Sequence, residues 1–359
     1  MTRARLRDLG IKIGSLPTGP NNAITDVPGV LVGHTTLIRD TPEVVRTGVT
    51  MIVPREGEIG KDNVFAGYHR FNGCGEMTGL QWLEETGILT SAIGLTNTHQ
   101  VGMVRDAMAE YSYKNDRTGP FYLPLAAETY DGWLNSMGSL PLTRENVYEA
   151  IASAKGGPVA EGNVGGGTGM ISYEFKGGIG TSSRIVETPS GRYTLGALVQ
   201  ANHGERSQLR VDGVPVGLEI GANITPGAFD PPTPLSSILI IIGTDAPLLS
   251  DQCRRLAQRA TVGLARTGGL GMNTSGDLFL AFATGQHLPT FADAPIPLSP
   301  MIPNRHINPF FEAAADAVEE AILNALTAAE TMTGYDGHTA HALPLDELQR
   351  VMAKYHRLA

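Results

Sequence analysis

Pro231-Pro232-Thr233-Pro234-Leu235-Ser236-Ser237-Ile238-Leu239-Ile240-Ile241-Ile242-Gly243-Thr244-Asp245-Ala246-Pro247 changes character halfway along. A proline-rich approach gives way to two serines, then to five aliphatic residues, then to a Gly-Thr-Asp turn. Such a run suits a central strand buried on both faces; roughly 18 apolar residues would be needed to cross a membrane. A hydroxyl at the first residue of that strand is held firmly while the segment before it stays free to move. By itself, a serine pair at a strand start reads first as ordinary structure. Its second reading is chemical. If the backbone were cut just before Ser237, the new α-amine, with a pKa of roughly 7.7–8.0, would be a base covalently tied to its own hydroxyl.

Working outward, short strand-like bursts and helical patterns interleave. Val30–Ile38 and Gly48–Pro54 read as strands, followed by a glycine- and asparagine-rich loop over 60–75 and a short helix over Leu80–Thr86. A strand is expected over Ile88–Leu95, a helix over Val101–Tyr111, and another helix over Arg144–Ala154. Three strands follow, at Ile171–Lys176, Ser183–Thr188 and Tyr193–Gln200. Residues 205–236 read as an exposed, flexible segment rich in proline, glycine and polar residues. After the central strand, a helix is expected from near Pro247 to about Arg266, then a glycine-rich turn and a strand at Leu278–Thr284. The longest helix is expected to be capped by Asn308, with Pro309 in its first turn and one apolar face formed by Phe311, Ala314, Ala315, Val318, Ile322 and Leu326. Without repeats or a charged linker, the pattern predicts one α/β domain of layered sheets and helices spanning residues 1–359.

Composition narrows the function classes. The hydrophobic share of 42% and charged share of 18% describe an ordinary folded chain, and 44 glycines of 359 residues predict many close backbone approaches. A net charge of −9 without a basic patch argues against nucleic acid as a partner. The basic N-terminus is not followed by an apolar run, so a secretory signal is not expected; a cytoplasmic protein without membrane association is. Cys74 and Cys253 are too few for a disulfide framework or zinc ribbon, and Cys253 reads as a core residue. The run Gly165-Gly166-Gly167-Thr168-Gly169 lacks the strand-before, helix-after context of a dinucleotide site, so it reads as a tight structural turn. His338 and His341 lack a carboxylate constellation and read as solvated or hydrogen-bonded. Of the nine histidines, His203 alone lies in a loop with a functional look. Neither a metal nor an organic cofactor is expected, and no G-x-S-x-G elbow is present.

Several passages taken together resemble the L-aminopeptidase/D-Ala-esterase/amidase (DmpA-like) family, which includes the β-peptidyl aminopeptidases. They include Asn22 to Val30, Val32 to Thr36, Gly75-Glu76-Met77-Thr78-Gly79, Ala127-Glu128-Thr129-Tyr130-Asp131-Gly132 and Gly162 to Gly169. They continue with Leu198 to Gly204, Thr244 to Leu248, Gly263 to Gly269 and Ser275-Gly276-Asp277, so nearly the whole chain is covered. The resemblance implies an αββα sandwich of the N-terminal-nucleophile hydrolase type, shared with the ornithine-acetyltransferase group. It implies self-cleavage between Ser236 and Ser237 into chains 1–236 and 237–359 that stay associated. Ser237 is then nucleophile and base, and Tyr130 and Asn202 stabilise the oxyanion. Ser275 and Asp277 orient the nucleophile and its amine, and Glu128 holds the substrate's free ammonium. The implied substrates are short peptides and aminoacyl amides or esters, and the implied assembly is a tetramer of processed units. Family members usually carry glycine or asparagine where this chain has Ser236, which admits Ser236 as the alternative cut-site serine; Ser237 is favoured because it directly abuts the aliphatic strand. Two other readings are an acyltransferase of the ornithine-acetyltransferase type, whose nucleophile is threonine, and an uncleaved, non-catalytic binding protein.

Overall fold

The computed structural model describes residues 3–57, 60–115, 122–229 and 236–358. Its backbone is organised by two sheets lying face to face. The smaller contains β1 (Leu31–Arg39), β2 (Val45–Val53), β5 (Ile93–Asn97) and β6 (Leu125–Thr129), in the order β1-β2-β5-β6. The larger contains β3 (Asp62–Gly73), β4 (Ile88–Leu89), β9 (Gly178–Thr188), β10 (Gly191–Asn202), β11 (Ser236–Thr244) and β12 (Ser275–Pro289), in the order β4-β3-β12-β11-β10-β9. A hairpin of β7 (Ile171–Ser172) and β8 (Phe175–Lys176) leads into β9. Helices α2 (Val101–Lys114) and α3 (Arg144–Ala152) cover the outer face of the small sheet. Helices α5 (Ser250–Arg266) and α6 (Asn308–Ala328) cover the outer face of the large one. The short α1 (Leu80–Thr86) and α4 (Val216–Glu219), a small hairpin of β13 (Met332–Thr333) and β14 (Thr339–Ala340), and the late α7 (Leu345–Lys354) lie beside these layers. The result is the expected four-layer αββα sandwich.

Alternation along β11 shows why the aliphatic run is continuous. Ile238, Ile240 and Ile242 join the core beneath α5 and α6, whereas Leu239 and Ile241 point into the core between the sheets. All five are fully buried. A strand with a core on each face has no polar side, so period-2 patterning disappears. β12 repeats the arrangement, with Phe279 and Ala281 outward to the helices and Leu278 and Leu280 inward.

Four expectations need correction. The stretch 60–75 is largely the strand β3, antiparallel to β12. Its glycines serve a close approach: a Cβ on Gly67 would lie 2.2 Å from the backbone nitrogen of Arg254 in α5. The predicted strand Ile88–Leu95 splits into β4 and β5, which belong to different sheets. Residues 205–229 are not an exposed segment. Leu209, Val211, Val214, Val216 and Ile220 are buried, and the buried Arg206 guanidinium donates to the carbonyls of Thr225 and Pro226. Residues 230–235, which include part of the proline-rich approach, lie outside the described residues. Finally, Asn308 is the first residue of α6 rather than its cap, and α6 is buried nearly all round, from Ala313 to Thr327. α6 reaches that depth because helix and strand backbones almost touch: a Cβ on Gly180 in β9 would meet the Ala321 carbonyl at 2.0 Å.

Candidate active site

Strand register brings four of the expected residues to one end of the large sheet. Ser237 is the second residue of β11, and it is flanked by Asn202 in antiparallel β10 and by Gly276 in parallel β12. Ser236 pairs with Ser275, and Ile238 with Asp277. Ser237 is 5% exposed, so the hydroxyl at the mouth of the strand is almost enclosed. Its Oγ donates to the Ser236 carbonyl oxygen at 2.6 Å and accepts from the Gly276 amide at 3.3 Å. The hydroxyl therefore lies against the carbonyl group of the bond between Ser236 and Ser237.

On β12, Ser275 and Asp277 are two residues apart and share a face. The Ser275 hydroxyl donates to Asp277 Oδ1 at 2.6 Å and also lies 3.2 Å from Ser236 Oγ. Gly204 donates its amide to the same Ser236 hydroxyl at 3.3 Å. In this uncut chain Ser275 thus faces Ser236 rather than the Ser237 hydroxyl. Burial pushes the Asp277 carboxyl up to about 6, with the Ser275 hydroxyl and the Ile238 amide acting the other way. Its buried Oδ2 lacks a hydrogen-bond partner.

Asn202 closes the opposite side. Its Oδ1 accepts the Ile171 amide at 2.8 Å, and its Nδ2 donates to the Tyr130 carbonyl at 2.9 Å. With Oδ1 occupied, the amide group has a defined orientation, and one Nδ2 hydrogen is left over. Tyr130 is half-buried, and its ring folds back over Gly132, where a Cβ would lie 2.4 Å from the phenol oxygen. The link between Tyr130 and Asn202 runs through the Tyr130 backbone.

Glu128 comes from the other sheet, at the end of β6, and is 4% exposed. Its Oε1 accepts the Glu76 amide at 2.9 Å, and its Oε2 accepts the Thr98 hydroxyl. Burial raises its pKa, partly offset by those two donors. Gly75 joins this carboxylate to β12, the strand beside Ser237: a Cβ there would lie 3.1 Å from the Gly276 Cα and 3.3 Å from Glu128 Oε1. Ser237, Ser275, Asp277, Asn202 and Glu128 therefore gather where the two sheets meet, together with Ser236, and Tyr130 joins them through its backbone carbonyl.

Thr98 and Ile171 were not anticipated. Thr98 sits in a polar run, Thr96-Asn97-Thr98-His99, directly after a strand, and that was the available signal. Ile171 acts through its backbone amide, which no sequence pattern marks. His203 is buried, bonds to the Tyr173 hydroxyl at 3.2 Å, and has its pKa pulled down to about 3 by burial, so it is no base at neutral pH. Gly165–Gly167 form the expected tight turn, and a Cβ on Gly166 would lie 2.1 Å from the Gln200 amide oxygen. His338 stacks on Trp133 at 3.7 Å and bonds to its carbonyl. Among the described residues, no group of three or more His, Cys, Asp or Glu side chains is placed to hold a metal. No helix among them is long and apolar enough to cross a membrane.

Comparison with known proteins places the sequence and the fold among aminopeptidases. A β-peptidyl aminopeptidase from Sphingosinicella microcystinivorans is 44% identical, over 99% of this chain and 93% of that relative. A solved β-aminopeptidase from a Burkholderia species superimposes with a TM-score of 0.92 at 49% identity, covering 98% of this chain and 99% of that one. The L-aminopeptidase/D-Ala-esterase/amidase of Ochrobactrum anthropi, described as a prototype serine aminopeptidase with a variant of the Ntn hydrolase fold, gives 0.92 at 42% identity over 99% of both chains. The fold is accordingly that of the Ntn hydrolases. With the family model for peptidase family S58 matching residues 22–340, this chain belongs to peptidase family S58.

Proposed function

We propose that the chain is a self-processing aminopeptidase whose nucleophile is the Ser237 hydroxyl and whose base is the α-amine freed by its own cleavage. The observation that carries this reading is the placement of Ser237 Oγ, 2.6 Å from the Ser236 carbonyl oxygen at the rigid end of a fully buried strand.

Self-cleavage would begin when Ser237 Oγ attacks the Ser236 carbonyl carbon. The C–N bond breaks, the hydroxyl proton passes to the departing nitrogen, and an ester joins Ser236 to Ser237. Water then cleaves that ester, leaving a Ser236 carboxylate, a free hydroxyl and the new amine at the head of chain 237–359. Asp277 Oδ2, buried without a partner, would gain one in the new ammonium, with Ser275 beside it.

In turnover, the Ser237 amine takes the hydroxyl proton as Oγ attacks the substrate's first carbonyl. The spare Nδ2 hydrogen of Asn202 and the Tyr130 hydroxyl stabilise the oxyanion, a contribution worth about 3–4 kcal/mol for a single donor. The ammonium returns its proton to the leaving amine, and water releases the acyl group. Glu128, buried and already oriented by two donors, would bind the substrate's ammonium and confine the enzyme to free N-termini.

Substrates would be short peptides and aminoacyl amides or esters. The likeness to β-peptidyl aminopeptidases favours β-amino-acid residues among them. Family resemblance further supports a tetramer of processed units. The test is hydrolysis of a panel of α- and β-aminoacyl p-nitroanilides by the wild type and by Ser237→Ala. Release of p-nitroaniline by the wild type alone is expected, and retained hydrolysis in the variant would refute the assignment.

A further inference from the structure

Lys176 is fully buried at the end of β8, and among the described residues its Nζ makes no ion pair within hydrogen-bond distance. It meets three backbone carbonyls instead: Met170 at 2.7 Å, Gly177 at 2.8 Å and Gly167 at 3.3 Å. An ammonium has three donors, and all three are used on one short loop. The same loop is closed by the Gly177 amide donating to the Met170 carbonyl at 2.9 Å. Burying a cation this way costs several kcal/mol unless surrounding dipoles offset it, and here backbone carbonyls do. Burial is the larger influence and lowers the Lys176 pKa to about 7, with the nearby Asp131 carboxyl and the three carbonyl acceptors favouring the charged form.

What the loop holds is the site. Ile171 directly follows Met170, whose carbonyl Lys176 grips, and the Ile171 amide occupies Asn202 Oδ1 at 2.8 Å. The neighbouring Ser172 hydroxyl and Tyr173 amide bond to the His203 carbonyl at 3.1 and 2.7 Å, docking the hairpin on the end of β10. If the Ile171 amide drifted, the Asn202 side chain could turn over and present its oxygen to a developing anion, reversing the dipole that stabilises it.

We propose that Lys176 is a positioning residue for Asn202: its ammonium gathers the carbonyls of Gly167, Met170 and Gly177 and thereby aims the Ile171 amide that fixes the Asn202 side chain. The inference rests on the reading of Asn202 as an oxyanion donor.

The test is a double-mutant cycle on the processed enzyme with an aminoacyl p-nitroanilide. Lys176→Met and Lys176→Gln remove the ammonium while shortening the side chain by a single atom, and thermal melting establishes that each folds. Each is expected to lower kcat by about tenfold or more, short of the roughly 10²–10³ for outright loss of a donor, with KM changed by less than about twofold. Combined with Asn202→Ala, the lysine change should cost less than about twofold further, because coupled residues are not additive. Unchanged kcat in the folded lysine variants, or full additivity in the double variant, would overturn the proposal. Failure of both lysine variants to fold would overturn it too, since the lysine would then serve the fold rather than Asn202. An Asn202→Ala enzyme with normal kcat would instead sink the oxyanion reading on which the proposal stands.

Discussion

Glu128 and Asp277 are both buried carboxylates, yet their surroundings suit them to different tasks. Glu128 has a donor on each oxygen and, among the described residues, no ion-pair partner, so a substrate ammonium would complete its shell. Glu128→Gln should therefore lower kcat/KM for free-amine substrates by about 10–100-fold, the worth of a charge-assisted hydrogen bond. Steady-state kinetics checks this, and a loss below threefold would count against the ammonium role. Asp277 Oδ2 has no partner among the described residues, and under the proposed processing the new α-amine would supply its cation. Its carboxyl titrates near 6 in the folded, uncut chain, against about 3.9 when unfolded. The folded state therefore holds the proton more tightly, and the uncut form should lose stability as pH rises from about 4 to about 6. At about 1.36 kcal/mol per pH unit, the loss is on the order of 2–3 kcal/mol at most. Melting curves of Ser237→Ala should fall across that window relative to Ser237→Ala/Asp277→Asn. Parallel profiles would show that Asp277 does not titrate as described.

At the scale of elements, β11 was legible because a strand covered on both faces leaves an unbroken aliphatic signature. β3 was not, although it is the neighbour of β12. Its glycines and asparagine look like a loop, but Gly67 is small because the α5 backbone crosses it. Gly67→Ala and Gly180→Ala should each destabilise the protein by about 1–3 kcal/mol or more, since helix backbone cannot yield as a side chain can. Thermal denaturation measures this, and a wild-type melting temperature in either variant would contradict the close-packed layers. The segment 205–229 misled for a related reason. Its polar composition hides five spaced apolar anchors and a buried arginine that satisfies backbone carbonyls, a role that composition does not encode. The site followed the same division. Residues carried by motifs could be proposed from sequence, whereas the Ile171 amide and the buried Lys176 ammonium emerged only from three-dimensional contacts, and Thr98 had no more than a polar run to mark it.

For the whole molecule, the central claim is that one chain becomes two without losing its fold. β11 lies between β10 and β12, so a cut before Ser237 leaves the second chain's first strand hydrogen-bonded on both sides. Both chains contribute to the main core: β10 comes from the first, and β11, β12, α5 and α6 come from the second. Non-denaturing chromatography should therefore keep them together. The most direct measurement is intact-mass spectrometry, with N-terminal sequencing, on the purified wild type after denaturing electrophoresis. The account predicts two chains whose masses sum to that of the 38.0 kDa precursor plus one water, the smaller beginning Ser237-Ile238-Leu239. A single uncut 38.0 kDa chain that still hydrolyses aminoacyl substrates, or a smaller chain beginning at Ser236, would contradict it.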